Sequence, residues 1–273
     1  MKRTDFPELG LTVFESALYR TNTAVLEWAE GMLVADPNWL PEEVAAIRSF
    51  VDERLNGREL WLFFTHSDYD HLIGAGAFPE AKVLASYAFA HHPNPEAALK
   101  EVVNWDQRHY ISRPYAHHFP IPDLTPAPPG GTFMLAGRLF CSWPAPGHTA
   151  DGLILLDPQS GVCLAGDYLS NVEFPFVYHA FDAYYRTLRT FSGILDHYTL
   201  RALAPGHGDV ATAQEEVLRR ITESYAYLHA LQLSVSKNAE FPLADWLARY
   251  PHPAGLIEEH EKNAALARLQ SQP

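Results

Sequence analysis

Apolar positions in the first third of the chain fall in short runs suited to strands, separated by stretches with a helical spacing of three or four. Strands are expected at 12–18, 23–28 and 31–35, the last halted by Asp36-Pro37. Pro41-Glu42-Glu43 opens a helix, because proline suits the first turn and the two acids complement the positive end of the helix dipole. Val44, Ile47 and Val51 mark its buried face. The run at 59–64 predicts a buried strand, followed by a polar loop, a Gly/Ala-rich helix to Phe78 and a strand at 82–85.

Residues 87–120 break this rhythm, with a helix expected near 96–106 inside an irregular, histidine-bearing insert. The stretch 119–131 is rich in proline and glycine and reads as a connector. Strands resume at 132–135, 138–143, 152–156 and 162–165, then a helix at 181–197 and a short strand at 202–204. Val217, Ile221, Tyr225, Leu228 and Leu231 form the inner stripe of a long amphipathic helix. The tail predicts two short helices packed on the rest, so the division is a main domain at 1–235 and an extension at 236–273. Two strand-rich halves, each closed by helices, predict an α/β (α+β) fold with two sheets packed together and helices outside.

Composition narrows the classes. The 273 residues are 47% hydrophobic and 19% charged, enough apolar material for a real core. No stretch approaches the roughly 18 apolar residues of a membrane span, and the start lacks the apolar run of a secretory signal. Cys141 and Cys163 are the only cysteines, so a cytoplasmic protein without a disulfide framework is expected. A net charge of −13 argues against gripping a nucleic-acid duplex. The expected partner is a small-molecule substrate, with a homodimer compatible with the composition.

Fourteen histidines are many for this length, and several sit where chemistry would want them. Thr65-His66-Ser67-Asp68-Tyr69-Asp70-His71 follows an apolar strand and carries four potential metal ligands in six residues. Taken alone it also reads as a solvated acidic turn. Pro146-Gly147-His148-Thr149, Gly166-Asp167 and Pro205-Gly206-His207-Gly208 each put one His or Asp in a tight turn at a strand end. Any one of these is usually only a turn; four in this order are a pattern.

That order, THxxxDH, then PGHT, GD and PGHG, resembles the metallo-β-lactamase superfamily, including glyoxalase-II-like hydrolases, over residues 23–207, with Asp36 where the family closes an early strand. The resemblance implies an αββα sandwich of two mixed sheets with up to two divalent metal ions in a cleft at the sheet edges. It implies His66 and His148 for the first metal, Asp70, His71 and His207 for the second, and Asp167 bridging them, with Asp70 and Asp167 as the catalytic carboxylates. Zinc is the first expectation for such a donor set.

Asp68 departs from the resemblance, for the usual pattern has a histidine there, giving HxDxDH in place of HxHxDH. Asp68 ligating the first metal is the preferred reading; the others are a hydrogen bond to a ligand, or an inactive centre. A third coordinating carboxylate would weaken the metals as Lewis acids and favour manganese or iron over zinc. An acid at this place is similar to the iron-containing, oxygen- or nitric-oxide-handling branch and to a competence-associated nuclease branch, but neither similarity extends further.

In the loop 168–179, Tyr168, Tyr178 or His179 can hydrogen-bond a developing oxyanion, against the plainer reading that they pack the loop. Phe174 and Phe176 can wall an apolar pocket. His91, His92, His109, His117 and His118 are read as surface residues rather than a cap over the site. The function expected is metal-dependent hydrolysis of an ester-like bond (thioester, lactone or other carboxyl ester). The alternatives are a phosphodiesterase of the same fold, a di-iron redox protein, and an inactive metal-binding protein.

Overall fold

Strands that are apolar at nearly every position must be covered on both faces, and that requirement sets the layering. The computed structural model describes residues 1–126 and 131–271, so residues 127–130 of the expected connector and the last two of the tail lie outside the described residues. The first half holds strands β1 (Lys2–Phe6), β2 (Leu11–Glu15), β3 (Asn22–Glu27) and β4 (Gly31–Ala35), then helix α1 (Pro41–Leu55) and β5 (Glu59–Phe63). It continues with α2 (Tyr69–Leu72), β6 (Lys82–Leu84), α3 (Tyr87–Ala90) and α4 (Pro95–Arg108). The second half holds β7 (Gly131–Leu135), β8 (Arg138–Pro144), β9 (Leu153–Asp157), β10 (Val162–Gly166), α5 (Phe181–His197) and β11 (Ala202–Pro205). It closes with α6 (Gln214–Ser236), α7 (Leu243–Leu247) and α8 (Ala254–Gln270).

The first six strands form one sheet in chain order, antiparallel to β4 and parallel from β4 to β6; the other five form a second sheet ordered β11-β10-β9-β8-β7. Side chains alternate across each strand. Leu33, Ala35, Trp61 and Phe63 of the first sheet meet Leu153, Leu155, Val162 and Leu164 of the second in the central core. Met32, Val34, Leu60 and Leu62 point the other way, against Ile47, Phe50 and Val51 of α1. Ile154, Leu156, Cys163 and Leu203 point outward against Leu188 and Phe191 of α5 and Ile221 and Leu228 of α6. The result is the expected layering of helices, sheet, sheet and helices, with each fully buried aliphatic or aromatic side chain contributing about 1.5–3 kcal/mol.

Three expectations are corrected. The Gly/Ala-rich helix to Phe78 is instead the four-residue α2 and a 3₁₀ turn at Ala75–Ala77, because Gly74 turns there with its N–H on Pro37 O at 2.9 Å. Strand β1 was not expected: its exposed, charged sequence KRTDF has no apolar alternation and is held by pairing with β2 at the sheet edge. The tail has one short helix and one of 17 residues. Its Trp246, Leu256, Ala264 and Ala267 are buried in the same core as α5 and α6.

Candidate metal centre

Every motif singled out above emerges at the carboxyl end of a strand: Asp36 after β4, the 66–71 segment after β5, His148 after β8, Asp167 after β10 and His207 after β11. Backbone bonds across the two sheets draw these ends together. Leu153 N–H donates to Thr65 O at 2.8 Å, and Asn22 N–H to Gly206 O at 2.6 Å. The Asn22 amide also donates to Pro205 O and Gly208 O, at 3.0 and 2.7 Å, clamping the His207 turn to β3. Glycine is required where the turns meet their surroundings. A Cβ on Gly206 would stand 2.0 Å from Asp167 Oδ1, and one on Gly147 (φ +137°) would stand 2.4 Å from the Tyr184 backbone of α5.

Each of four histidines is anchored through Nδ1. His71 Nδ1 lies 2.9 Å from Asp36 Oδ2, His66 Nδ1 2.9 Å from Thr65 Oγ1, His148 Nδ1 2.9 Å from Phe176 O and His207 Nδ1 2.9 Å from Tyr19 O. Carbonyl and carboxylate acceptors fix the Nδ1–H tautomer and leave each Nε2 lone pair turned inward. The Thr65 hydroxyl donates to Asp36 Oδ2 at 2.6 Å, so its remaining capacity is to accept from His66.

The inward atoms converge. Asp167 Oδ2 lies 3.6 Å from His66 Nε2, 3.2 Å from His148 Nε2 and 3.3 Å from His207 Nε2, while Asp167 Oδ1 lies 3.1 Å from His71 Nε2. Asp70 Oδ2 stands 3.6 Å from His71 Nε2 and 3.4 Å from His207 Nε2. Donors on one tetrahedral ion, at bonds of about 2.0–2.2 Å, stand about 3.3–3.6 Å apart, and these separations cluster around that value. Two groups meet the needs of a metal: His66, His148 and Asp167, and Asp70, His71 and His207. Nε2 of His66, His71 and His148 and Oδ1 of Asp167 are buried with no hydrogen-bond partner. Such atoms are costly unless something answers them, and a cation accepting their lone pairs does.

Asp68 joins the first group in space. Its Oδ2 lies 3.2 Å from His148 Nε2 and 3.7 Å from His66 Nε2, at the more exposed side of the cluster. Burial works against its charge, but His148 and His66 hold the Asp68 carboxyl well below the usual range. Asp167 is likewise held well below its ordinary value, burial being outweighed by His71, His207 and His66.

The loop residues part company. The Tyr168 hydroxyl accepts from His148 N–H at 3.0 Å and donates to Ala145 O at 2.9 Å inside a buried turn. It thereby braces the His148 turn, in keeping with the plainer reading that it packs the loop. Phe174 is buried and stacks on Tyr227 at 4.2 Å, so it is core and not a pocket wall. Tyr178 is exposed at the rim, its ring 4.9 Å from that of His148 and its hydroxyl on Glu259 at 2.7 Å. The exposed His179 contributes its backbone N–H to His148 O at 3.0 Å.

Within the insert, His91 and His109 are exposed and bond carbonyls of their own helices. His117 is less free: its Nε2 meets Asp106 Oδ2 at 2.7 Å, beside the buried Arg113–Asp106 pair. Trp105 of α4 packs on Trp39 at 4.1 Å, and Trp39 on Tyr69 at 5.6 Å, which seats the insert beside the 66–71 segment.

Residues missed in the sequence include Asn22 and Glu173. Glu173 Oε1 lies 3.7 Å from His207 Nδ1, and burial pushes its carboxyl up to about 7, with His207 opposing. Neither carries a motif signal, because each acts through contacts with residues distant in sequence.

The family description metallo-beta-lactamase superfamily matches residues 53–228, well over half of the chain. The chain belongs to the metallo-β-lactamase superfamily. Its members are typically metal-dependent hydrolases. Solved structures agree in fold. A metallo-β-lactamase family protein from Thermus thermophilus aligns with TM-score 0.64 at 20% identity, covering 97% of this chain and 94% of that one. The stereoselective inverting sec-alkylsulfatase Pisa1 from Pseudomonas sp. aligns with TM-score 0.69 at 14% identity, covering 98% of this chain but 49% of that one. The chain thus spans about half the length of the alkylsulfatase it resembles. The B3 metallo-β-lactamase BLEG-1 aligns with TM-score 0.57 at 18% identity over 76% of this chain and 95% of that one. No curated protein sequence matches the chain. Among the described residues no helix is long and apolar enough to cross a membrane.

Proposed function

We propose that this metallo-β-lactamase superfamily member hydrolyses an ester-like bond, a thioester, lactone or other carboxyl ester, at a dinuclear metal centre. One observation carries the reading: four Nδ1-anchored histidines and three carboxylates turn their free donor atoms onto one small volume, with Asp167 reaching both groups. His66, Asp68 and His148 would hold one ion, Asp70, His71 and His207 the other, and Asp167 both. Divalent ions there supply Lewis acidity and bring the pKa of water toward neutrality.

The chain's own residues do the rest. Asp36, Thr65, Phe176 O and Tyr19 O fix the imidazole orientations before substrate arrives, so no reorganisation is needed at reaction. Asp70, beside both His71 and His207, would accept the proton from water with the carboxylate oxygen not given to the ion. Tyr178 at the rim offers an aromatic face to the substrate beside His148. Asp68 supports a second reading of the metal alone: its hard oxygen beside His66 and His148 favours manganese or iron over zinc.

The test is elemental analysis of dialysed protein, with hydrolysis of thioester, lactone, phosphodiester and sulfate-ester panels by the wild type and by His148→Ala. Two ions per chain and turnover of a carboxyl ester or thioester, both reduced in His148→Ala, are expected. Full metal content and unchanged turnover in the variant would defeat the assignment. Bound iron with oxygen consumption and no hydrolysis would put the redox reading in its place.

A further inference from the structure

Away from the metal centre, α6 and the tail border a solvent-open cavity of ≈150 Å³ lined by Asn171, Arg219, Glu223, Trp246, Arg249 and Tyr250. Its charges are not equivalent. Arg219 grips Glu216 through Nε and Nη2, both at 2.8 Å, and Glu223 through Nη1 at 2.5 Å. Arg220 Nε shares Glu216 at 2.8 Å, so these two guanidinium groups and two carboxylates balance. Arg249 lies outside that network. Its guanidinium sits 4.0 Å from the Trp246 ring centroid, and among the described residues it makes no ion pair.

A guanidinium resting over an indole ring still has N–H donors to offer an acceptor beside the ring. In a chain of net charge −13, this exposed cation has no carboxylate partner among the described residues and is open to an anion from solvent. Trp246 and Tyr250 are the two aromatic residues of a lining that is otherwise polar or charged. A cavity near 150 Å³ holds a body about the size of a benzene ring.

We propose that this cavity binds a small carboxylate with a compact apolar or aromatic body, its acid group paired with Arg249 and its body against Trp246 and Tyr250. Asn171 links this cavity to the turn that carries His207. Asn171, in the cavity wall, accepts from Asp209 N–H at 2.8 Å and donates to Asp209 Oδ2 at 2.9 Å. The same side chain packs so closely on Gly208, next to His207, that a Cβ there would stand 2.4 Å from Asn171 Oδ1. The carboxylate has two sources: the remote acid group of a substrate whose scissile bond lies at the metals, or a separate acid.

The experiment titrates metal-loaded protein with benzoate by calorimetry at constant ionic strength, using wild type, R249M and R249K, with chelated wild type alongside. R249M keeps the packing on Trp246 and removes the charge. Benzoate binding is expected in wild type and in chelated protein, at least tenfold weaker in R249M and partly retained in R249K. Equal binding in wild type and R249M, or loss of binding on chelation, overturns the proposal. The source is read from p-nitrophenyl acetate and the mono-p-nitrophenyl ester of glutaric acid. A KM raised in R249M for the acid-bearing ester alone assigns the site to the substrate, and unchanged KM for both assigns it to a separate acid. The calorimetry decides the site whether or not either ester is turned over, so it stands or falls apart from the reading of the metal centre.

Discussion

His71 gives one nitrogen to Asp36 and turns the other to the centre: Nδ1 lies 2.9 Å from Asp36 Oδ2, and Nε2 lies 3.1 Å from Asp167 Oδ1. Asp36 is also the hub for His66, because its carboxylate accepts the Thr65 backbone N–H at 2.9 Å and the Thr65 hydroxyl at 2.6 Å. One buried carboxylate that need not touch a metal thereby orients a histidine in each group.

Asp36→Ala is therefore expected to weaken metal affinity by roughly 10–100-fold. Leaving the Thr65 N–H unanswered adds a stability loss of about 1–3 kcal/mol. Chelator competition and denaturant unfolding measure the two effects separately; unchanged metal affinity would show that the Asp36–His71 bond is incidental.

Asp68→His exchanges a hard oxygen for an imidazole beside His66 and His148. The expected outcome is enrichment in zinc relative to manganese and iron when the protein is produced with all three supplied. Identical metal content in variant and wild type would place Asp68 outside the coordination sphere.

The pH response should differ between chelated and metal-loaded protein. Without metal, burial opposes the charged forms of His71, His148 and His207, but the surrounding carboxylates outweigh it and raise all three, His207 to about 10. A raised folded-state value stabilises fully below the unfolded histidine value of about 6.5. That contribution is lost as pH rises through about 10. Thermal melts of chelated protein should thus fall between about pH 7 and 10. Metal binding displaces the same protons, so affinity should rise over that window, with proton release visible in calorimetry across buffers. Proton-neutral binding at pH 7 would contradict the ligand set.

Asn263 of α8 is fully buried and bridges three groups: it accepts from Val177 N–H at 2.8 Å and donates to Pro175 O at 2.7 Å and to the Tyr227 hydroxyl at 3.1 Å. It therefore ties the tail to the loop whose Phe176 carbonyl anchors His148. Asn263→Ala is expected to cost about 2–4 kcal/mol through the unpaired buried groups, and to weaken metal binding through His148. A variant with wild-type stability would show that the tail is dispensable to that loop.

Much of this was legible in the sequence because the signals are local. Apolar runs such as 59–64 and 162–165 specify strands buried on both faces, and a His or Asp placed just past a strand end needs only the strand to be positioned. The charge-rich β1 carried no such signal, since its strand character comes from pairing with β2. The failed helix to Phe78 turned on one bond, from Gly74 N–H to Pro37 O, between residues far apart in the chain.

By itself the sequence determined the two-layer core and the His and Asp turns at strand ends that are candidate donors, because periodicity and turn chemistry act over a few residues; the ligand set came from the resemblance. Only the tertiary structure decided which donors meet: that Asp68 stands with His66 and His148, that Tyr168 braces a turn, and that Asp36 and Asn22 lock the two sheets' loops. It alone joined Asn171, Arg249 and Trp246 around one cavity. The reason is physical: these relations are closed by hydrogen bonds and packing between segments up to 188 residues apart, as His207 and Tyr19 are, and no local pattern encodes such a contact.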